Sequence, residues 1–340
     1  MAQARMNETE GIRRLDAFLA SRGASRATLL SSVTDVVDRP LLVVATGSIL
    51  HGVGNERSDV DVNVIVERAV TRMPMVASIR DTLIDILLFG ASEVAGWATA
   101  IRDQPWPPPS VAVEEWSRRK VALVNCTRFG YGFMLSAREG WESWRDEFRQ
   151  PWVAMRVAEW WRIESIRLQI GARWLAKAKP LLSAHRLLES VFAELESRAA
   201  LSGQFYFGSK WIFEKLRAVG DTRALAALRR VMRAPTTSQD APDYAAQCEA
   251  VLEEFRGGWN DSSLAAQLWY LPGVSAHRVD TQTLVSRWYL RGIELPGRVP
   301  EIPTQPKPFW EGPLDAQPPA EVLALFTADM TWLAITRRTP

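Results

Sequence analysis

The chain has 340 residues, a length that exceeds one ordinary hydrophobic core and suits two packed domains. Hydrophobic residues make up 47% of it and charged residues 24%, which excludes the disordered and fibrous classes. A formal net charge of +2 is too even to indicate nucleic acid or an acidic membrane surface as a partner.

Apolar residues at helical spacing predict two opening helices over 7–21 and 27–37. Short apolar runs then predict three strands of one buried sheet, at 41–45, 60–66 and 83–89. The segment 104–110, QPWPPPS, contains four prolines and predicts a loop. We therefore expect an N-terminal domain over 1–140 that holds a small mixed β-sheet with helices on one face.

The second half reads as helical. Helical periodicity covers 151–178, 181–201, 208–219, 222–232 and 244–255. A proline-rich segment follows at 295–319, and one more helix is expected over 321–335. These patterns predict an all-α helical-bundle domain over 141–340, so the expected fold class is α+β.

Cysteine usage and hydropathy bear on the compartment. The two cysteines, Cys126 and Cys248, stand far apart in the sequence and have no metal-ligand spacing, which favours a reducing cytoplasm. The N-terminus has no apolar core of signal-peptide length, and no run of about 18 apolar residues occurs. We expect a cytoplasmic protein without an export signal or membrane span.

The residues that carry chemistry lie in 43–66, VVATGSILHGVGNERSDVDVNVIV. Side chains alternate along a strand, so Asp59 and Asp61 share one face, about 7 Å apart, where two carboxylates can bridge hard cations. Gly47 lets the backbone approach an anion closely, and Ser48 offers a hydroxyl and an amide at an expected helix N-terminus. The pattern indicates a site for metal ions and phosphates.

A strand that ends in Gly-Ser, followed after a gap by Ser58-Asp59-Val60-Asp61-Val62, resembles the DNA polymerase β-like nucleotidyltransferase superfamily. The resemblance covers the first domain, and the helical second half resembles that of aminoglycoside and other small-molecule nucleotidyltransferases in general layout. It implies that Gly47, Ser48 and Ser58 bind ATP or another nucleoside triphosphate. It also implies that Asp59 and Asp61 are catalytic ligands of two Mg²⁺ ions.

The superfamily uses a third carboxylate on a neighbouring strand, as a metal ligand and as the base for the acceptor hydroxyl. Asp85, which interrupts the apolar run 83–87, is our candidate, because a carboxylate there needs a cation or hydrogen-bond donors to compensate its burial. Asp81, two residues earlier and between polar neighbours, is the alternative.

Helical domains of small-molecule members return a cationic group to the triphosphate. Lys210, in QFYFGSKWIFEKL at 204–216, is the candidate for that role, and Tyr206 is a candidate to stack on the base. The corresponding structural interpretation is a surface lysine flanked by core aromatic residues.

These observations predict a nucleotidyltransferase that moves AMP, or another nucleoside monophosphate, to a hydroxyl of a small molecule such as an antibiotic or secondary metabolite. Without a basic stripe, a nucleic-acid acceptor is not expected. Two alternatives stay open: a protein adenylyltransferase, and a nucleotide-binding scaffold that has the fold without turnover.

Overall fold

The structure is a computed structural model that describes residues 2–68, 75–80, 82–204, 206–256 and 263–338, with side chains from residue 9 onward. The chain forms two compact units. The first unit comprises Met1–Gln104, Arg119–Val157 and Ala199–Val219, and the second comprises Pro105–Arg118, Ala158–Arg198 and Gly220–Pro340. Each unit is thus built from three separate segments of the chain. The sequence analysis instead expected two continuous domains with one boundary at residue 140.

The first unit contains a five-stranded mixed sheet, as the sequence predicts. Its strands are Leu42–Thr46 (β1), Val60–Val66 (β2), Met75–Ile79 (β3), Thr82–Gly90 (β4) and Phe133–Ala137 (β5). They lie in the order β3-β4-β2-β1-β5; β2 and β4 are parallel, and the other neighbours are antiparallel. The three predicted strands are therefore confirmed, each to within about a residue or two at its ends.

Helices occur in both units. Their bounds are Ala2–Ala20 (α1), Arg26–Thr34 (α2), Ala91–Val94 (α3), Trp97–Arg102 (α4), Val113–Tyr131 (α5), Trp141–Asp146 (α6), Pro151–Leu175 (α7), Pro180–Leu201 (α8), Ile212–Ala218 (α9), Thr222–Val231 (α10), Ala241–Arg256 (α11) and Ala320–Thr327 (α12). Short 3₁₀ helices cover Glu147–Arg149 and Ser209–Trp211. The capping box of α2 explains its start, because the Ser25 side chain accepts from the backbone of Thr28 while the Thr28 hydroxyl accepts from the backbone of Ser25.

The core of the first unit packs one face of the sheet against α1 and α2. Val60, Val62 and Val64 of β2 point into this core and are at most 1% exposed. Leu15 of α1 and Leu29 of α2 belong to the same buried cluster. Because side chains alternate along β2, burial of these valines turns Asp61 to the opposite face of the sheet.

The second unit departs from the all-α expectation. It contains two three-stranded antiparallel sheets, in the orders β10-β6-β11 and β7-β8-β9. The strands are Leu264–Tyr270 (β6), Val274–Val279 (β7), Gln282–Arg287 (β8), Arg291–Pro296 (β9), Trp310–Pro313 (β10) and Thr331–Arg337 (β11).

Local patterns explain why the sequence analysis missed β6, β10 and β11. All but the last residue of β6 are buried, so the strand lacks the alternation of polar and apolar residues that marks a half-buried strand. The helix expected over 321–335 ends at Thr327, and the chain turns through Asp329, with φ of 66°, into β11. The proline-rich segment likewise contains β10.

The loop between β8 and β9 holds two bulky residues in the left-handed region, Trp288 with φ of 54° and Tyr289 with φ of 56°. Tyr289 is 85% exposed, so side-chain packing does not offset the free-energy cost of its backbone conformation. An L-residue in this region costs about 1–2 kcal/mol, a cost that glycine avoids. We expect Tyr289→Gly to be more stable than Tyr289→Ala by about 1 kcal/mol, measured by urea unfolding. Equal stability of the two variants would show that the loop is unstrained.

Candidate functional site

The Gly-Ser turn follows β1 and lies against Asp61. Gly47 has φ of 105°, and a Cβ built on it would stand 2.6 Å from Asp61 Oδ2. The glycine is therefore required twice, for its backbone conformation and for the close approach of the carboxylate. Thr46, the last residue of β1, is the cross-strand partner of Asp61.

The segment after the turn folds back on it. The backbone N–H groups of Val53 and Gly54 donate to the carbonyl oxygen of Ser48, at 3.1 and 2.9 Å. The Ser48 and Ser58 hydroxyl oxygens lie 3.4 Å apart, and Ser58 Oγ accepts from the backbone of Asn55. Both predicted serines therefore meet on one side of the turn. The expected helix N-terminus at Ser48 is wrong, since residues 48–52 form turns.

Parallel pairing brings the carboxylates of β2 and β4 together. Asp61 is the register partner of Asp85, and the Asp59 side chain, immediately before β2, lies close enough to that of Asp85 to interact with it. Burial is the main cause that raises the pKa of Asp85, and Asp59 raises it further. Asp85 thus lies where the sequence predicts. Asp81, the alternative, falls outside the described residues.

Charges of both signs act on Asp61. Burial raises its pKa most strongly, the Arg128 guanidinium opposes that rise, and the carboxylates of Asp59 and Asp85 add to it. The ammonium of Lys210 also lowers the pKa of Asp61. Three acidic groups and two cations therefore interact around the end of β1.

The carboxylates offer oxygen ligands, the kind that magnesium prefers. Within the described residues, no three His, Cys, Asp or Glu side chains stand close enough together to hold a metal ion as they are placed. Mg²⁺ is, however, usually bound through one or two carboxylates together with substrate phosphates rather than by a preformed protein cage. The contact between Asp59 and Asp85 places two hard oxygen donors at one point, and a divalent cation would relieve their repulsion. The donor set fits.

The sequence suggested that Lys210 and Tyr206 belong to a separate helical domain. In the structure both residues belong to the first compact unit. The Lys210 ammonium lies 5.3 Å from the centroid of the Trp211 ring. The Tyr206 ring lies 4.9 Å, centroid to centroid, from that of His51. The pKa of Tyr206 is raised by burial first and then by the charge of Asp61, so this ring interacts with the acidic cluster.

A cleft of about 520 Å³ lies on the Ser48 side of the site. Its lining includes three cationic residues, Arg22, Arg57 and Lys210, together with Ser48, Ser58, Asp59 and Trp211. Ligand pockets of this size hold drug-sized molecules. Hydroxyl groups, three cationic residues and two acidic residues, Glu56 and Asp59, around one cleft suit a polyphosphate that carries metal ions.

Sequence reasoning missed three residues of the site. Arg128 comes from α5, a helix that was not predicted, and it is one of many arginines without a local signal. Lys215 is fully buried and donates from Nζ to the carbonyl oxygen of Tyr206. His51 contacts Tyr206, and burial, followed by the charges of Lys215 and Arg14, lowers the pKa of His51 to about 4.

Residues 4–117 match the model of a family described as a family of unknown function, DUF6001. None of the curated proteins matches the chain significantly. The chain is similar to the nucleotidyltransferase-like protein of Exiguobacterium sibiricum 255-15, at 10% identity over 67% of this chain and 73% of that chain, with a TM-score of 0.36. A TM-score of this size does not establish a shared fold. No described helix has both the length and the apolarity needed to cross a membrane.

Proposed function

We propose that the chain is a Mg²⁺-dependent nucleotidyltransferase that transfers AMP from ATP to a hydroxyl of a small molecule and releases pyrophosphate. The observation that carries the proposal is that Asp61 lies against Gly47 and pairs in register with Asp85, while Asp59 lines, with Ser48, a cleft that holds three cationic side chains. Each group alone is common. Their arrangement on adjacent strands fits the chemistry of a nucleoside triphosphate.

The residues of the site would bind either the phosphates or the metal ions. Lys210, Arg57 and Arg22 line the cleft and neutralise charge on the β- and γ-phosphates, and the Ser48 and Ser58 hydroxyls donate to phosphate oxygens. Asp59, Asp61 and Asp85 would supply the protein ligands of two Mg²⁺ ions, with substrate phosphates as the others, and the ions would stabilise charge on the α-phosphate of the transferred nucleotidyl group.

In the transfer itself, the acceptor oxygen forms a bond to the α-phosphorus while the bond from that phosphorus to the bridging oxygen breaks. Pyrophosphate leaves with the electron pair, and Asp85 accepts the proton of the acceptor hydroxyl. Gly47 serves by leaving room for Asp61 beside the turn.

Lys210→Ala tests the polyphosphate cleft. Loss of one charge-assisted contact to phosphate is expected to weaken Mg²⁺–ATP binding about tenfold, measured by isothermal titration calorimetry. Lys177→Ala, at an exposed lysine that does not line the cleft, is the matched control and should leave the affinity unchanged. Equal affinities of the two variants, or no binding of Mg²⁺–ATP by the unaltered chain, would contradict the proposal.

A further inference from the structure

A second, smaller cavity of about 220 Å³ lies in the first unit. Its lining includes Arg14 of α1, His51 of the segment after the turn, Tyr131 at the end of α5, and Arg145 and Arg149 around the end of α6. This volume is below that of a drug-sized pocket, so the cavity would hold one end of a ligand and not the whole of a large one.

The lining is positively charged. It contains the guanidinium groups of Arg14, Arg145 and Arg149, against one carboxylate, that of Glu10. Three positive charges and one negative charge leave an excess of two positive charges. The His51 imidazole adds no charge at neutral pH, because burial, as the largest cause, lowers its pKa to about 4. It still offers one donor and one acceptor.

Hydrogen bonds hold the guanidinium groups of Arg14 and Arg145 in place. Arg14 Nη1 donates to the carbonyl oxygen of Leu50 at 3.3 Å. Arg145, which is 4% exposed, donates from Nε to the carbonyl oxygen of Phe129 at 2.9 Å and from Nη2 to that of Gly132. Fixed donors bind an anion with less loss of side-chain entropy than mobile ones, so the cavity is preorganised.

The cavity adjoins the candidate active site through two walls. His51 lines it and contacts the Tyr206 ring, which interacts with Asp61. Gly132 also lines it, and a Cβ built there would stand 2.7 Å from the carbonyl oxygen of Ala45, two residues before Gly47. A molecule seated in the cavity would therefore lie beside Ala45, near the end of β1, and the three aspartates lie outside the cavity lining.

We propose that this cavity receives the anionic end, a carboxylate or a phosphate, of the molecule that accepts the nucleotide. The inference rests on the proposed transferase function and narrows its acceptor to an acidic small molecule that also carries a hydroxyl. A polycationic acceptor of the aminoglycoside kind would meet like charge here.

Isothermal titration of the full chain with succinate and with inorganic phosphate, in the absence of nucleotide, tests the cavity. Arg14→Gln and Arg149→Gln are each expected to weaken binding about tenfold or more, since each removes one charged contact. Arg13→Gln is the matched control: Arg13 stands on the same helix and pairs with the same Glu10, yet it is highly exposed and does not line the cavity. It should bind like the unaltered chain.

Further arms separate this site from the nucleotide cleft. Arg57→Gln alters the cleft alone and should leave succinate affinity unchanged. Loss of binding in Arg57→Gln but not in Arg14→Gln, equal loss in Arg13→Gln, or no binding by the unaltered chain would overturn the inference. If the chain binds Mg²⁺–ATP but neither anion, the cavity proposal fails alone. If it binds succinate through Arg14 but never ATP, the transferase function fails, and with it the acceptor role.

Discussion

Asp61→Asn is expected to lower nucleotidyl transfer on the order of 1,000-fold, the scale seen when one preorganised charge-stabilising group is lost. Asp61 lies against Gly47 and is the register partner of Asp85 on β4. A cation bound to its carboxylate would therefore lie near both the Gly47 turn and β4. Asparagine keeps the shape but not the charge. The measurement is Mg²⁺-dependent release of pyrophosphate from labelled ATP in the presence of acidic, hydroxyl-bearing acceptors.

Stability separates a catalytic loss from a folding defect. Asp61→Asn removes one of three interacting acidic groups, so the free energy of unfolding should not fall. Asp38→Asn, at a side chain that is 91% exposed, is the control and should change neither rate nor stability. Pyrophosphate release that Asp61→Asn leaves intact would end the enzymatic interpretation.

The strands that carry the acidic cluster were predictable because their signal is local. Alternation around Val60 and Val62 sets the face on which Asp61 lies, and the glycine after Thr46 marks the turn. The arrangement of the site follows from backbone geometry that short sequence patterns encode. Asp85 stood out because a carboxylate within an apolar strand requires compensation, and its strand lies beside β2; its catalytic role stays a prediction.

Other parts of the site depend on contacts between residues distant in sequence. Arg128 acts on Asp61 from α5, and no local pattern distinguishes it from other helical arginines. The sequence does not distinguish Lys215 from other helical lysines. In the fold it is fully buried and donates to the carbonyl oxygen of Tyr206. Such partnerships are set by tertiary packing, which a single sequence does not display.

The second unit contains a buried ionic cluster that should govern its stability. Glu194, with a side chain 2% exposed, lies 2.7 Å from Arg162 Nη1 and 3.8 Å from Arg256 Nε. Glu194→Leu leaves both guanidinium groups buried near an apolar side chain. We expect it to lower the free energy of unfolding by about 3–5 kcal/mol, measured as the loss in urea unfolding of the full chain.

Glu189→Leu is the matched control on the same helix. Glu189 is 46% exposed and pairs across one turn with His185, so its loss should cost less than about 1 kcal/mol. Comparable losses in the two leucine variants would show that the buried cluster contributes no more than a surface pair.

Replacing all three members of the cluster gives the opposite expectation. Burial is the main cause that raises the pKa of Glu194, and it prevails although Arg162 and Arg256 both lower that pKa. The cost of removing the carboxylate from water therefore exceeds the attraction of its partners. Arg162→Met, Glu194→Leu and Arg256→Met combined should restore the stability lost in Glu194→Leu and exceed that of the unaltered chain by about 1 kcal/mol. A triple variant as unstable as the single one would instead show that the arginines stabilise the unit through other contacts.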